Sequence, residues 1–287
     1  MDNRDTNMKS ASTSGGLMKN KRLLMYAAVV IVIIVVAAAL ILTASSGSSG
    51  AKLESYDNLP VPASLISELN VPNNISSAIG IGAVNPKLAQ QTGAANEMTK
   101  DGKPLVLYIG AEYCPYCGAQ RWAMLIALDR FGNLTGVRYM TSSHTDAYAD
   151  TPTFSFANAT YSSPYISFVA VETTTNKEVN GTYPILQVPN NTENVTFGAY
   201  NQGGSIPFFD IANKTVIIGA TYTPHILQGM NWSQVANELS DASTAQAQGI
   251  VGSANLLTAE ICMADNEQPQ SVCGQSYIQS IETQAAA

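Results

Sequence analysis

Lys103-Pro104-Leu105-Val106-Leu107-Tyr108-Ile109-Gly110-Ala111-Glu112-Tyr113-Cys114-Pro115-Tyr116-Cys117-Gly118 is the stretch on which the reading of this chain turns. Leu105–Ile109 is a short apolar run that reads as a buried strand, and Gly110–Tyr113 makes a turn. From Gly118 the sequence Ala-Gln-Arg-Trp-Ala-Met-Leu-Ile-Ala-Leu-Asp-Arg-Phe reads as a helix that stops at Gly132-Asn133. Two cysteines three positions apart thus sit where a strand hands over to a helix. The unpaired N–H groups of a first helical turn and the positive end of the helix dipole favour a thiolate at Cys114. Cys117 follows one turn on, close enough to attack a mixed disulfide that Cys114 forms. The expected chemistry is thiol–disulfide exchange, with Cys114 the exposed nucleophile and Cys117 the resolving thiol.

Two blander readings of the pair compete with this one. It could be an inert disulfide, or half of a zinc site completed by Cys262 and Cys273. The ten residues between those two are not a zinc-knuckle spacing, and a proline inside the first pair argues against metal. His144 and His225 are the only histidines, with no acidic pair at ligand spacing, and read as surface or strand-end residues. No metal and no other cofactor is expected.

At 287 residues the chain has room for one sizeable domain or two small ones. Leu23–Leu42 is a run of twenty apolar residues, long enough to cross a bilayer as a helix. A retained anchor is the favoured reading, with cleavage near Leu42-Thr43-Ala44 as its rival. Lys9, Lys19, Lys21 and Arg22 precede the run, and no cation follows until Lys52. The positive-inside bias therefore places residues 1–22 in the cytoplasm as a stub and everything after about residue 43 outside the cell membrane. Residues 1–22 carry five Lys/Arg against two Asp, so the rest of the chain holds −10 of the formal net −7. An acidic outer part without a basic stripe makes nucleic acid a poor partner.

Asn-x-Ser/Thr acceptors occur at Asn74, Asn133, Asn158, Asn180, Asn190, Asn194, Asn213 and Asn231, all on the expected outer side. Some arise by chance in an Asn/Thr-rich sequence. Four cysteines, an even number, also suit an oxidising compartment.

Further along, short helices are expected at Ala63–Leu69 and near Pro86–Gln91, and strands at Val137–Thr141 and Tyr165–Glu172. Ser205–Ala220 holds two short apolar runs around Asn213-Lys214 and reads as a β-hairpin. A helix over Gln234–Leu239, capped by Ser233, leads into Ala/Gln-rich helical sequence to about Met263. Pro269 interrupts it, and a last helix covers Tyr277–Thr283. No internal repeat is visible.

These residues together resemble the thioredoxin superfamily. Ala111-Glu112-Tyr113-Cys114 with Cys117 is similar to the thioredoxin active-site approach, and Pro115-Tyr116 is the dipeptide typical of glutaredoxins. Ser205-Ile206-Pro207 and the hairpin ending Ile218-Gly219-Ala220 resemble the superfamily's cis-proline loop and last two strands. Gly110–Gly132 with the Ile-Pro segment is also similar to an uncharacterised group of membrane-anchored thioredoxin-like proteins of thermoacidophilic archaea, named only as a domain of unknown function. The specific part of the resemblance spans residues 103–140 and 205–220.

The resemblance implies an α/β fold: a thioredoxin-like central mixed sheet flanked by helices, with a long insertion between the redox helix and the cis-Pro loop, plus one N-terminal transmembrane helix. The corresponding division is a stub (1–22), the transmembrane helix (23–42), a flexible tether (43–52) and an outer domain (53–287). Within that domain the core is 103–140 and 205–245, the insertion about 145–200, and a helical extension 246–287. A cis Ile206–Pro207 bond is expected to face the thiols, with the Ile206 backbone pairing an extended client peptide; an ordinary turn proline is the alternative. Thr223-Pro224 is wrongly placed for that role. Tyr113 and Tyr116 flank the cysteines as expected substrate contacts.

Two departures from the family pattern stand out. Thioredoxins carry a buried acid six residues before the first cysteine, where this chain has Tyr108, which leaves Glu112 as the substitute proton shuttle. The gap from Cys117 to Pro207 is 90 residues, far longer than in plain thioredoxin. Cys262 and Cys273 read as a structural disulfide, with a second relay pair as the alternative. The function expected is a membrane-anchored oxidoreductase acting on the thiols or disulfides of exported proteins, with an unidentified electron donor or acceptor. The rival is a binding or envelope-assembly module whose Cys114–Cys117 bond stays closed.

Overall fold

The apolar run Leu105–Ile109 forms a strand with both edges occupied, and the domain is arranged around it. A computed structural model describes residues 52–286. The stub, the run Leu23–Leu42 and nearly all of the tether lie outside the described residues, among which no helix is long and apolar enough to cross a membrane. In chain order the elements are α1 (Ala63–Glu68), α2 (Asn73–Ile79), β1 (Gln90–Gln91), β2 (Thr99–Lys100), β3 (Lys103–Gly110), α3 (Pro115–Asp129), β4 (Asn133–Thr135), β5 (Arg138–Thr141), β6 (Pro152–Ser155) and β7 (Thr160–Ser162). There follow β8 (Ser167–Glu172), α4 (Asn191–Tyr200), β9 (Phe208–Ile211), β10 (Thr215–Ile218), α5 (Trp232–Glu238), α6 (Gly252–Ala264), α7 (Gln270–Cys273) and α8 (Ser276–Ala286).

The central sheet has six strands and is mixed. β3 pairs in parallel with β8, from Leu105 opposite Ser167 to Gly110 opposite Glu172. On its other edge it pairs antiparallel with β9, which forms the expected hairpin with β10. Ala212 and Asn213 take positive φ of 53° and 60° at the hairpin turn. A strand flanked on both edges and covered on both faces needs continuous apolar sequence rather than alternation, which is what Leu105–Ile109 supplies. Val106 and Tyr108 face the core built with α3 and α6, whereas Leu107 and Ile109 face a smaller cluster with Phe208, Val216 and, from α4, Phe197 and Tyr200. Helices therefore flank the sheet on both sides.

Several elements differ from the sequence reading. The stretch read as an insertion contains β8, a strand of the central sheet, because the apolar run before Glu172 is buried against β3. The strand at Val137–Thr141 pairs with β6 in a separate two-stranded sheet and not with β3. Near Pro86 there is a single 3₁₀ turn, Pro86–Leu88, and the following Gln90–Gln91 extends the sheet beside β10. The cap of α5 is Asn231, not Ser233. Its side chain accepts from the Gln234 N–H (3.0 Å) while Gln234 accepts from the Asn231 N–H (2.8 Å), so the helix starts two residues early.

The C-terminal extension is part of the core. α6 is buried along nearly its whole length and packs on α3. The Gln120 amide donates to Ser253 (2.8 Å) and accepts from the Thr221 N–H (2.9 Å), tying α3, α6 and the segment after β10 together. A Cβ at Gly252 would meet the Ile81 carbonyl oxygen at 2.4 Å, so only glycine permits the backbone approach there. Cys262 and Cys273 are bonded to each other, joining the end of α6 to α7 with Cα atoms 5.5 Å apart. Closing that loop is worth about 2–4 kcal/mol in the chain-entropy account. With those sulfurs joined, a four-cysteine metal site has lost two of its ligands.

Candidate redox site

Cys114 caps α3 with extended backbone, and Pro115 occupies the first helical position, where its missing N–H costs nothing. The Cys117 N–H donates to the Cys114 sulfur at 3.3 Å. The Ile206–Pro207 bond is cis, and the Ile206 carbonyl oxygen lies 3.9 Å from the same sulfur. Ile206 and Tyr113 pack against Ala111, Cys114 and Cys117. Both cysteines are free thiols. Cys114 is less open than the sequence reading expected. It is 5 % exposed against 0 % for Cys117, because the Ile206 loop and Tyr113 close over it.

The two thiols are electrostatically unequal. Hydrogen bonding to Cys117 draws the Cys114 pKa below the ordinary thiol value against the opposing effect of burial, with help from backbone N–H groups and Arg121. Burial drives Cys117 well above the ordinary value, and the neighbouring Cys114 sulfur adds to that.

Residues 92–198 match the family model of a domain of unknown function, DUF929. No curated protein and no solved structure matches the chain. The DUF929 match takes in β3, α3, β8 and both Cys114 and Cys117, and ends before the Ile206–Pro207 loop and the β9–β10 hairpin. The mixed sheet with flanking helices and the close cysteine pair are consistent with a thioredoxin-like fold.

Inside the DUF929 region lies a buried ion pair that the sequence reading missed. Arg121 sits on α3 one turn after Cys117, and Glu172 ends β8; both side chains are fully buried. The Arg121 Nε and Nη2 donate to the two Glu172 oxygens at 2.8 and 2.6 Å, and Nη2 also donates to the Ala111 carbonyl at 2.7 Å. The signal was present as single charges of opposite sign in two otherwise apolar segments. Tyr108, where the thioredoxin resemblance implies a buried acid, is fully buried with no partner for its hydroxyl, and burial keeps it neutral. Its ring folds back over Gly110, where a Cβ would meet the hydroxyl at 2.1 Å. Glu112 is buried, accepts from the Ser155 hydroxyl (2.5 Å), and has its pKa raised chiefly by burial.

The two tyrosines read as substrate contacts part company. Tyr116 is 42 % exposed beside the cysteines. Tyr113 is half-buried with its ring stacked on Tyr183 at 4.3 Å, so that face is not free. Seven of the eight glycosylation acceptors have exposed asparagines. Asn213 is the exception: its amide donates to the Asn96 carbonyl (2.9 Å) and accepts from the Tyr200 hydroxyl (2.6 Å), so it is a poor acceptor. Among the described residues no group of three His, Cys, Asp or Glu side chains is placed to hold a metal. His144 pairs with Asp150 at the surface (2.8 Å). A cleft lined by Leu53, Tyr56, Tyr139 and Trp232 shares no lining residue with the thiol site.

Proposed function

We propose that this protein is a membrane-anchored thiol–disulfide oxidoreductase with a thioredoxin-like outer domain, acting on exported proteins. The observation that carries the reading is the placement of Cys114: a helix-capping thiol with lowered pKa, a buried partner thiol one turn on, and the Ile206 carbonyl beside its sulfur. Cys114 makes or accepts the bond to the client sulfur, and Cys117 attacks Cys114 to release it. The Ile206 backbone pairs the client segment, and Tyr116 with the exposed Ile185, Leu186 and Val188 contacts its side chains. Glu112, its pKa raised chiefly by burial, is the proton reservoir in place of the acid that Tyr108 replaces. The anchor is Leu23–Leu42, with the domain outside the cell.

Two measurements test this. In reduced protein at about pH 6–7, a limiting alkylating agent labels Cys114 well before Cys117, because the lowered Cys114 pKa and the raised Cys117 pKa give Cys114 the larger thiolate fraction. Equal labelling, or a Cys114–Cys117 bond that resists mild reductant, would favour a binding module with a closed disulfide. Protease added to intact cells degrades the chain after about residue 45 and spares a tag at Met1; a protected C-terminus overturns the outer location.

A further inference from the structure

Nothing in thiol exchange itself requires the buried Arg121–Glu172 pair, and burying two charges carries a desolvation cost that only close pairing offsets. Arg121 lies four residues after Cys117, on the same face of α3. Its Nη2 holds the Ala111 carbonyl, which also accepts from the Cys114 N–H at 3.3 Å, and Ala111 packs directly against both sulfurs. The guanidinium carbon lies 5.9 Å from the Tyr108 ring centre, and Nη1 is buried with no partner among the described residues. One donor nitrogen of the buried guanidinium is thus left without an acceptor behind the active-site turn.

We propose that Arg121 is a positioning residue that makes the Cys114–Cys117 couple an oxidant: clamped by Glu172, it holds positive charge behind the sulfurs and stabilises the dithiol over the disulfide. The inference rests on the oxidoreductase reading and adds its direction. A client thiolate attacks the Cys114 sulfur of the disulfide, the Cys114–Cys117 bond breaks, and its electron pair leaves on the Cys117 sulfur. The second client thiolate then attacks the client sulfur of the mixed disulfide and Cys114 leaves. The client gains a disulfide and loses two electrons and two protons, and the couple gains both. Positive charge favours both departing sulfurs. Arg121 acts to lower the pKa of each thiol, at Cys117 against the larger effect of burial that keeps it high.

The test is redox equilibration of the full-length protein with glutathione, together with titration of the Cys114 thiolate. The variants are Arg121→Met combined with Glu172→Gln, Glu172→Gln alone, and Arg121→Lys. The double variant shifts the equilibrium about tenfold toward the disulfide, about 30 mV more reducing, and raises the Cys114 pKa. Glu172→Gln alone shifts it the opposite way, because the cation loses its counter-charge, and Arg121→Lys stays near wild type. Opposite signs in the two Glu172→Gln backgrounds are the signature, since loss of packing alone would not reverse sign. A double variant that folds with wild-type potential and thiolate titration overturns the inference. If it does not fold, an unshifted Glu172→Gln or a strongly reducing Arg121→Lys does so. A wild-type protein that never equilibrates with glutathione overturns the oxidoreductase reading itself.

Discussion

If the proposed exchange with client polypeptides holds, a Cys117→Ser protein is expected to accumulate covalent adducts with them, and Cys114→Ser none. A wild-type mixed disulfide is expected to be short-lived, because Cys117 lies in the first turn of the helix that Cys114 caps, its own N–H 3.3 Å from the Cys114 sulfur. Its thiol attacks intramolecularly, at an effective concentration no free thiol in solution matches. Serine keeps the N–H contact and removes both the resolving attack and the Cys114–Cys117 bond, so trapping proceeds by Cys114 attacking a client disulfide. Cys114, with its lowered pKa, still opens the first bond. The effect is close to all-or-none and reads as reductant-sensitive high-mass bands on non-reducing gels after acid quenching. If Cys114→Ser traps as many adducts as Cys117→Ser, the assignment of nucleophile and resolving thiol is reversed. If neither traps any, the couple does not exchange with proteins.

The second large effect is on stability, which falls as pH rises from about 4 to 7. Among the described residues the only close carboxylate–cation contacts are Arg121–Glu172 and His144–Asp150. Other carboxylates are buried without a cation. Asp210, on β9, accepts from the Asn213 N–H at 2.7 Å through one oxygen, and its other oxygen has no partner. Glu260 accepts from Thr215 (2.7 Å) and Gln91 (3.0 Å) through one oxygen and leaves the other bare. Burial raises the pKa of both, that of Asp210 from 3.8 to about 6. Asp265 (about 6) and Glu282 (about 7) shift the same way, chiefly by burial, and contribute less because they are partly exposed.

Each of these groups binds its proton more tightly folded than unfolded. Their contribution is complete below the unfolded pKa, near 4, and is lost as pH climbs through the folded values, which are about 6 to 7 for Asp210, Asp265 and Glu282. Asp210 alone accounts for on the order of 3 kcal/mol, or roughly 6–12 °C in Tm for a domain this size. Asp210→Asn, neutral at every pH, raises Tm at pH 7 by about that amount and leaves it nearly unchanged at pH 4. A wild-type Tm that is flat or rising over this range, or an Asp210→Asn profile parallel to wild type, refutes the account.

What the sequence determined by itself was local. The strand–turn–helix around Cys114, the Asn213-Lys214 hairpin and the helices of the C-terminal extension each rest on signals in adjacent residues: an apolar run, a capping position, a turn pair. Those signals work because a helix or hairpin is specified by neighbours a few positions apart. The Asn231 cap shows their limit, since Asn231 and Ser233 both suit a cap and only the reciprocal bond with Gln234 selects between them.

Which distant segments meet was settled by packing across the whole domain. A short apolar run such as the one before Glu172 reads the same at a sheet's centre or on a decoration, and only its pairing with β3 placed it at the centre. Tyr113 is local to the cysteines, but its stacking partner Tyr183 lies 70 positions away. The 5 % exposure of Cys114 follows from a loop 92 residues downstream closing over it. The Arg121–Glu172 pair spans 51 residues, and in sequence each is a lone charge in an apolar segment. A charge acquires its effect on a thiol only when packing removes water and sets the distance, and neither is written in the residues that surround it.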